Sequence, residues 1–390
     1  MVEWRQPSPA PGQSPDPPAR EASGEPEKGE TGMPIEIIDL LPIVLLFLLL
    51  PKAKAVRPLS VFNEDYLSLD TGKALRGFFA LVVVFHHLAQ KTETGLLFHR
   101  FTHAGYLCVA VFFFLSGYGL QRSHMNFPRY REGFLRRRLS SVLVPYLAAT
   151  ALCWLADAAR GRRYPVTDIF AAILAGEPIV PFSWYILCIL GFYLAFWLMM
   201  RLCGRHYGRM LLLGCLWQLL YTTFCIRMRY GFWWYSASHL LIVGMFWAVW
   251  EDRILPILKR FYPVLFPAAA ACFLVSFLCA ETVPSHFLPG ENSLLFTGLA
   301  AVLFPLCGRC FTLKVQIGNR LLNHLGDLSL EIYLLQGAVI MLLEQNAALR
   351  QREFIWCASV LILTVVCADL FHLAMGKLLG IFRPKMPVSR

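Results

Sequence analysis

LDTGKALRGFFALVVVFHHLAQ (residues 69–90) decides the fold, because it places ionisable side chains in a run that is otherwise apolar enough to cross a membrane. Lipid cannot solvate such groups, so Arg76, His86 and His87 indicate a functional site within a membrane span. A helix turns about 100° per residue and rises about 1.5 Å. Arg76 and His87 are therefore expected on one helix face, about 16 Å apart along the axis, with His86 on another face.

The composition indicates a polytopic membrane protein. Of the 390 residues, 57% are hydrophobic and 16% are charged, against about 25% charged residues in a soluble domain. The net charge of +11 comes from basic residues in short loops between apolar runs, which argues against nucleic acid as a partner. The twelve cysteines predict no disulfide framework, since most lie in hydrophobic runs. Cys307 and Cys310 form a lone CGRC without a second ligand pair, so no metal is predicted.

Five segments are predicted along the chain. Residues 1–34 are rich in Pro, Gly, Ser and Glu and predict a disordered tail. An extra N-terminal hydrophobic helix follows at 35–50, although the run is short for a span. A linker at 51–65 leads to a membrane domain at 66–382, and residues 383–390 form a cytoplasmic tail.

Ten apolar runs of the membrane domain are each long enough to cross a bilayer. They cover about residues 75–92, 104–121, 139–158, 182–201, 209–226, 233–250, 262–280, 292–310, 328–346 and 354–379. The predicted fold class is all-α, a polytopic membrane helical bundle of ten core transmembrane helices plus the extra N-terminal helix. With the loop 51–76 in the cytoplasm, that side carries twice as many Lys and Arg residues as the other, which also predicts a cytoplasmic C-terminus.

Two positions of this domain suit chemistry, and a third suits helix packing. His87 is the strongest candidate, because an imidazole titrates near neutrality and can take a proton from a hydroxyl that attacks a carbonyl. A structural hydrogen bond between helices is the alternative. Arg76 keeps its proton, so it suits anion binding or pairing with Asp70, unless it only snorkels at the helix end. Ser116 of FFFLSG suits close helix packing and is not predicted as a nucleophile.

The loop after the second core run is rich in arginine and ends in Arg136, Arg137 and Arg138. Arginine clusters bind phosphate through paired hydrogen bonds, so the loop can hold a phosphorylated cytosolic ligand. The positive-inside bias alone also makes such loops basic, and both interpretations stay open.

Five motifs stand in order along the chain. They read LRGFFALVVVFHHL (75–88), GYLCVAVFFFLSGYGL (105–120), FLRRRLSSVLVPYL (134–147), SWYIL (183–187) and LGDLSLEIYLLQ (325–336). Together they resemble the acyltransferase 3 family of integral membrane O-acyltransferases, and the resemblance covers roughly residues 66–379. One departure is Gln336, which stands where many members have His.

This resemblance implies a ten-helix enzyme of the plasma membrane. It would take an acyl group, commonly acetyl, from cytosolic acyl-coenzyme A and give it to a hydroxyl of an extracytoplasmic glycan or lipid-linked sugar. The family's catalytic His and its paired Arg correspond to His87 and Arg76. The donor-binding arginines correspond to Arg136, Arg137 and Arg138, and the expected substrate contacts are Ser116, Trp184, Tyr333 and Gln336.

Other functions remain open from the sequence. A transporter or flippase also buries charge, although no internal repeat supports one, and a non-catalytic member of the fold is a third possibility. Direct transfer and an acyl-enzyme intermediate are not distinguished, and the oligomeric state is not predicted. Four residues near the sixth run line either the acceptor site or an interfacial aromatic belt: Trp233, Trp234, Tyr235 and His239.

Overall fold

The computed structural model describes residues 36–49, 53–58, 60–162, 164–282 and 293–382. The predicted tails at 1–34 and 383–390 lie outside these ranges.

The described chain is built almost entirely of helices. Its fifteen α-helices are α1 (Leu40–Leu49), α2 (Leu69–Ala89), α3 (Leu96–His99), α4 (Gly105–Asn126), α5 (Phe134–Ala159), α6 (Val166–Leu174), α7 (Trp184–Cys203), α8 (Tyr207–Arg227), α9 (Leu240–Arg260), α10 (Tyr262–Thr282), α11 (Leu294–Lys314), α12 (Arg320–Asp327), α13 (Ser329–Glu344), α14 (Ala347–Arg350) and α15 (Glu353–Phe382). Three short 3-10 helices stand at Ile37–Asp39, Arg100–His103 and Phe232–Trp234. Strands β1 (Lys54–Ala55) and β2 (Val315–Gln316) form the small antiparallel sheet of this part of the chain.

Seven helices of the described residues are long and apolar enough to cross a membrane, and nine spans result if each of two bent helix pairs counts as one. The protein is therefore an integral, multi-pass membrane protein, whereas the predicted count of ten core helices is not confirmed. The two bent pairs join α3 and its 3-10 turn to α4, at 51°, and α12 to α13, at 72°.

The sixth predicted span is not among these seven helices and two bent pairs, and its helix has different boundaries in the structure. The apolar run at 233–250 corresponds to α9, which begins only at Leu240 and continues to Arg260. The aromatic residues before it form a 3-10 turn at Phe232–Trp234. Its continuation passes through Glu251, which is buried because side chains of other segments satisfy its carboxylate.

Helix α2 lies in the interior of the bundle. In the most apolar 18-residue stretch of α2, 67% is buried inside the protein, whereas only 11% of the corresponding stretch of α10 is buried. Helix α10 therefore faces outward. The helix begins where the Ser68 side chain accepts a hydrogen bond from the Thr71 amide, and Asp70 in the first turn favours the positive end of the helix dipole. It packs against α4, α12 and α13, which places Arg76 and His87 among these helices.

Glycines allow α4 and α9 to approach each other closely. A Cβ atom at Gly117 would collide with the carbonyl oxygen of Leu241, and one at Gly244 would collide with that of Phe114. The two backbones are therefore in direct contact, as is common where membrane helices associate through small residues.

The segments before α2 are tied to the bundle by polar contacts. The buried carboxylate of Asp39 accepts hydrogen bonds from the amides of Leu96, Leu97 and Phe98 at 2.7 to 3.1 Å, which accounts for an acidic residue in the apolar N-terminal run. The β1–β2 pair and a 3.0 Å bond from Asn63 to the Thr312 carbonyl attach the chain ahead of α2 to the end of α11.

Candidate active site

His87 lies in the last turn of α2 and faces protein. Its imidazole stacks on the ring of Phe182, with centroids 3.7 Å apart and an interplanar angle of 14°. Its Nδ1 atom is buried and has no hydrogen-bond partner within the described part of the chain. The ring is therefore held by this stacking contact and by a hydrogen bond with the Gln90 side chain, and its Nδ1 is a nitrogen that the described residues do not use.

His86 is bonded to its neighbours. Its Nδ1 lies 3.1 Å from the carbonyl oxygen of Phe101 and its Nε2 lies 3.3 Å from the amide nitrogen of Gln90. A carbonyl only accepts, so we assign the proton to Nδ1, and Nε2 then accepts from Gln90. The ring also fills the space beside Gly105, where a Cβ atom would collide with it. His86 thus joins α2 to the turn before α4.

The loop before α7 brings Phe182 onto His87. Phe182 has φ of 64°, in the left-handed region that bulky residues rarely adopt. The hydroxyl of Tyr333 donates to the Phe182 carbonyl oxygen, and a Cβ atom at Gly337 would lie 2.6 Å from the Cβ of Pro181. Helix α13 therefore packs against this loop and fixes its position.

Arg76 occupies the opposite half of α2 and is half-buried. It interacts electrostatically with Tyr185 and Tyr193 of α7 and with Asp327 of α12. Asp327 forms its ion pair with Lys73 at 2.9 Å, and no carboxylate of the described residues lies within 4 Å of Arg76. The predicted alternative, a pair with Asp70, is thus not formed, and the guanidinium can bind an external anion.

Tyr185 connects three of the predicted site residues. Its hydroxyl interacts with both Ser116 of α4 and Arg76 of α2, and its ring lies 5.5 Å from that of Tyr333 in a T-shaped contact. The structure therefore brings Ser116, Tyr333 and Arg76 around one half-buried tyrosine. Tyr185 belongs to the SWYIL motif, but the sequence predicted no role for it.

The three consecutive arginines have different environments. Arg137 donates to the carbonyls of Glu132 and Tyr130, at 2.6 and 2.8 Å, and so closes the turn that starts α5. Arg138 donates to the Tyr130 hydroxyl at 2.9 Å and interacts with Tyr193, which interacts with Arg76 as well. Arg136 is exposed. Arg138 and Arg76 thus share Tyr193 as a neighbour.

Trp184 and Gln336 have their own sets of contacts. The Trp184 ring is 6.2 Å from that of Trp234, which is 4.7 Å from Tyr230, so these residues form one aromatic cluster. Gln336 is fully buried; its amide nitrogen donates to the Tyr333 carbonyl at 3.3 Å, and its oxygen has no partner in the described ranges.

The other residues of the predicted acceptor region differ in exposure. Trp233 is 46% exposed, whereas Trp234 and Tyr235 are buried. His239 lies with Nε2 3.3 Å from the Gly298 carbonyl oxygen. Two of the four residues are therefore packed inside the bundle. An aromatic belt at the membrane surface does not explain their burial.

A second polar cluster, missed by the sequence analysis, lies where α4, α9 and α11 meet. Glu251 accepts hydrogen bonds from the hydroxyls of Tyr66 and Tyr118, and it is 3.7 Å from Arg122. Burial, together with the bond to Glu251, raises the pKa of the Tyr66 phenol, so it remains a neutral donor. Arg309 is 1% exposed and interacts with both tyrosines. The cluster links three helices to the turn that precedes α2.

No group of three or more His, Cys, Asp and Glu residues is arranged to hold a metal ion within the described ranges. All twelve cysteines are free, including Cys307 and Cys310 of α11. An open groove lined by Val56, Arg57 and Ser60 contains none of the predicted site residues.

Comparison with known proteins gives one family. A family model described as an acyltransferase domain matches residues 68–373, which is more than three quarters of the chain. Searches of curated proteins and of solved structures give no match. The matched region begins at the cap of α2 and includes Arg76, His87, the three arginines and Tyr333.

Proposed function

Because the chain belongs to the acyltransferase 3 family, we propose that it is a membrane O-acyltransferase that moves an acetyl group from acetyl-coenzyme A to a hydroxyl of a glycan or lipid-linked sugar. The observation that carries the proposal is the placement of His87, whose buried Nδ1 makes no hydrogen bond to the described residues. Arg76 stands on the same face of the same helix. An ionisable group that is kept inside a membrane bundle with one nitrogen free of any structural bond is expected to act on a substrate.

The orientation follows from the distribution of positive charge. We place the N-terminal end of α2 and the C-terminus of the chain at the cytoplasmic face of the plasma membrane, and His87 toward the outer face. Arg136, Arg137 and Arg138 then face the cytosol, where acyl-coenzyme A is present.

The donor enters along a line of basic and tyrosine side chains. Arg138 and Arg76 both interact with Tyr193, and guanidinium groups bind phosphate oxygens well. From Arg76 to His87 the helix rises about 16 Å. The extended pantetheine arm of coenzyme A covers such a distance, so phosphates held near Arg76 allow the thioester to reach His87.

His87 is proposed as the general base. It takes the proton of the acceptor hydroxyl while that oxygen attacks the thioester carbonyl carbon. The C–S bond then breaks, coenzyme A leaves as a thiolate, and the proton on His87 passes to that thiolate. The imidazole is neutral again for the next acceptor. The thiolate is a good leaving group, so this route needs no second strong acid.

The acceptor is proposed to arrive from the outer face. The aromatic cluster of Trp184, Trp234 and Tyr230 supports a sugar ligand, because aromatic rings present flat apolar surfaces with a polar edge. Trp184 lies two residues after Phe182, whose ring stacks on His87, so this cluster adjoins the loop that contacts the proposed base.

Transfer of a labelled acetyl group tests the proposal. The purified protein in lipid nanodiscs is incubated with acetyl-coenzyme A labelled in the acetyl group, together with a panel of glycans and lipid-linked sugars. We expect label on the acceptor and an equal amount of free coenzyme A. Donor binding without transfer contradicts the proposal and indicates a non-catalytic member. Movement of an unmodified sugar across proteoliposomes, again without transfer, indicates a transporter.

A further inference from the structure

We propose that Phe182 is a positioning residue for this reaction, which fixes the plane of the His87 imidazole and covers one of its faces. The inference rests on the proposed function, since it assigns Phe182 a part in that transfer. The two rings are nearly parallel, 3.7 Å apart. A parallel ring at van der Waals distance blocks rotation of the imidazole about its Cβ–Cγ bond. The in-plane lone pair of the imidazole therefore keeps one direction.

The backbone at Phe182 is held in a conformation that its residue type disfavours. A φ of 64° suits glycine, and a bulky side chain there is an outlier. Such conformations persist where the surroundings impose them, and they cluster at functional sites. Plain apolar packing against α2 does not require this backbone, whereas placing a ring flat on His87 from a short loop does.

Two contacts from α13 impose the conformation. Tyr333 donates its hydroxyl hydrogen to the carbonyl oxygen of Phe182 itself. A side chain at Gly337 would collide with Pro181, and its Cβ would lie 3.1 Å from Cδ2 of Phe182. The sequence predicts Tyr333 as a substrate contact, and we propose instead that it acts through Phe182.

The covered face also bears on selectivity. Water competes with the acceptor hydroxyl, since attack of water on the thioester carbonyl breaks the same C–S bond and yields acetate and free coenzyme A. A phenyl ring flat on the base removes one side from which water can approach it, and a fixed ring plane aims the base at the positioned hydroxyl. Phe182 thus favours transfer over hydrolysis.

Phe182→Gly is the decisive variant, because glycine accepts a positive φ while removing the ring. We expect kcat for transfer to fall about 100-fold, as misorientation of a catalytic group does, with the KM for acetyl-coenzyme A unchanged. The ratio of free coenzyme A to acylated acceptor should rise above one. Phe182→Tyr, which keeps the ring, should retain transfer. Phe304→Ala removes a ring packed on Phe79 of α2 and serves as the control with unchanged kcat.

A double variant separates action through Phe182 from direct substrate contact. Tyr333→Phe deletes only the hydroxyl, and we expect a smaller loss of kcat with the same rise in hydrolysis. In the Phe182→Gly background this substitution should cause no further loss, since the ring that it positions is gone. Independent, multiplying losses would assign Tyr333 to the substrate and overturn its role through Phe182.

The shielding of His87 by Phe182 can also be measured independently of acetyl transfer. Diethyl pyrocarbonate modifies exposed imidazoles, and mass spectrometry follows His87 with His86 as the internal reference. We expect severalfold faster modification of His87 in Phe182→Gly and no change at His86. An unchanged His87 rate, or an unchanged kcat and coupling ratio, overturns the proposal. A faster His87 rate in a protein whose wild type transfers no acetyl supports the cover and defeats only the proposed reaction.

Discussion

His86 and His87 are adjacent in the chain and have opposite surroundings. Both nitrogens of His86 have partners in the turn and helix around it, whereas His87 has a ring stacked on its face and a buried nitrogen with no partner in the described ranges. Successive residues of a helix differ by about 100° in direction, so the two rings meet different elements. An ionisable residue in a membrane helix is thus explained by structure in one case and points to function in the other.

The largest expected effect is that of His87→Ala. Removing a general base costs about 10²- to 10⁴-fold in kcat, and the cavity created is small because the ring is only half-buried. We expect this loss with an unchanged melting temperature, measured by acetyl transfer and by thermal unfolding in detergent. His86→Ala is the matched control, and transfer should remain. Equal loss of activity in both variants would remove the distinction between the two histidines.

The arginines also divide into one that we expect to bind the donor and one that we expect to stabilise the fold. Their substitution should give the next largest effects. Arg138→Ala should raise the KM for acetyl-coenzyme A by about 10- to 100-fold, the range for a hydrogen bond to a charged group. Arg137→Ala should instead lower the melting temperature, since Arg137 closes the turn before α5. Arg136→Ala is the reference for an exposed residue. If it raises KM as strongly as Arg138→Ala does, the loop binds the donor through general positive charge.

The smallest effect concerns the structural role of His86. Gly105→Ala introduces a methyl group that collides with the His86 ring and should destabilise the protein by about 1–3 kcal/mol. In the His86→Ala background the methyl group meets no ring, so the same substitution should cost less. A double-mutant cycle of thermal unfolding measures this coupling. Additive effects would show that the His86 ring does not fill the space beside Gly105.

The helical architecture could be predicted from apolar runs, but their boundaries depended on polar contacts. Hydropathy placed the start of the first core span near 75, whereas α2 begins at Leu69, because Ser68 caps the helix. It also ended the sixth span at 250, where α9 continues through Glu251. The Glu251 carboxylate can be buried because the hydroxyls of Tyr66 and Tyr118 donate hydrogen bonds to it. These partners lie far from Glu251 in the sequence, so a local hydropathy average cannot include them.

Helical periodicity predicted the shared face of Arg76 and His87, because both belong to one element. It could not predict the stacking of Phe182 on His87. Phe182 lies in a loop far along the chain and has a left-handed backbone conformation where its ring meets His87. The different environments of Arg137 and Arg138 were equally hidden, since their partners are set by the turn ahead of α5.

The small sheet has a consequence for biosynthesis. Lys54 pairs with Gln316, and the Asn63 side chain bonds to the Thr312 carbonyl 249 residues later. A chain emerging from the ribosome has inserted most of its helices before these partners exist. The segment ahead of α2 therefore attaches late in assembly, and any nascent chain shorter than about residue 316 lacks the strand pair that secures this segment.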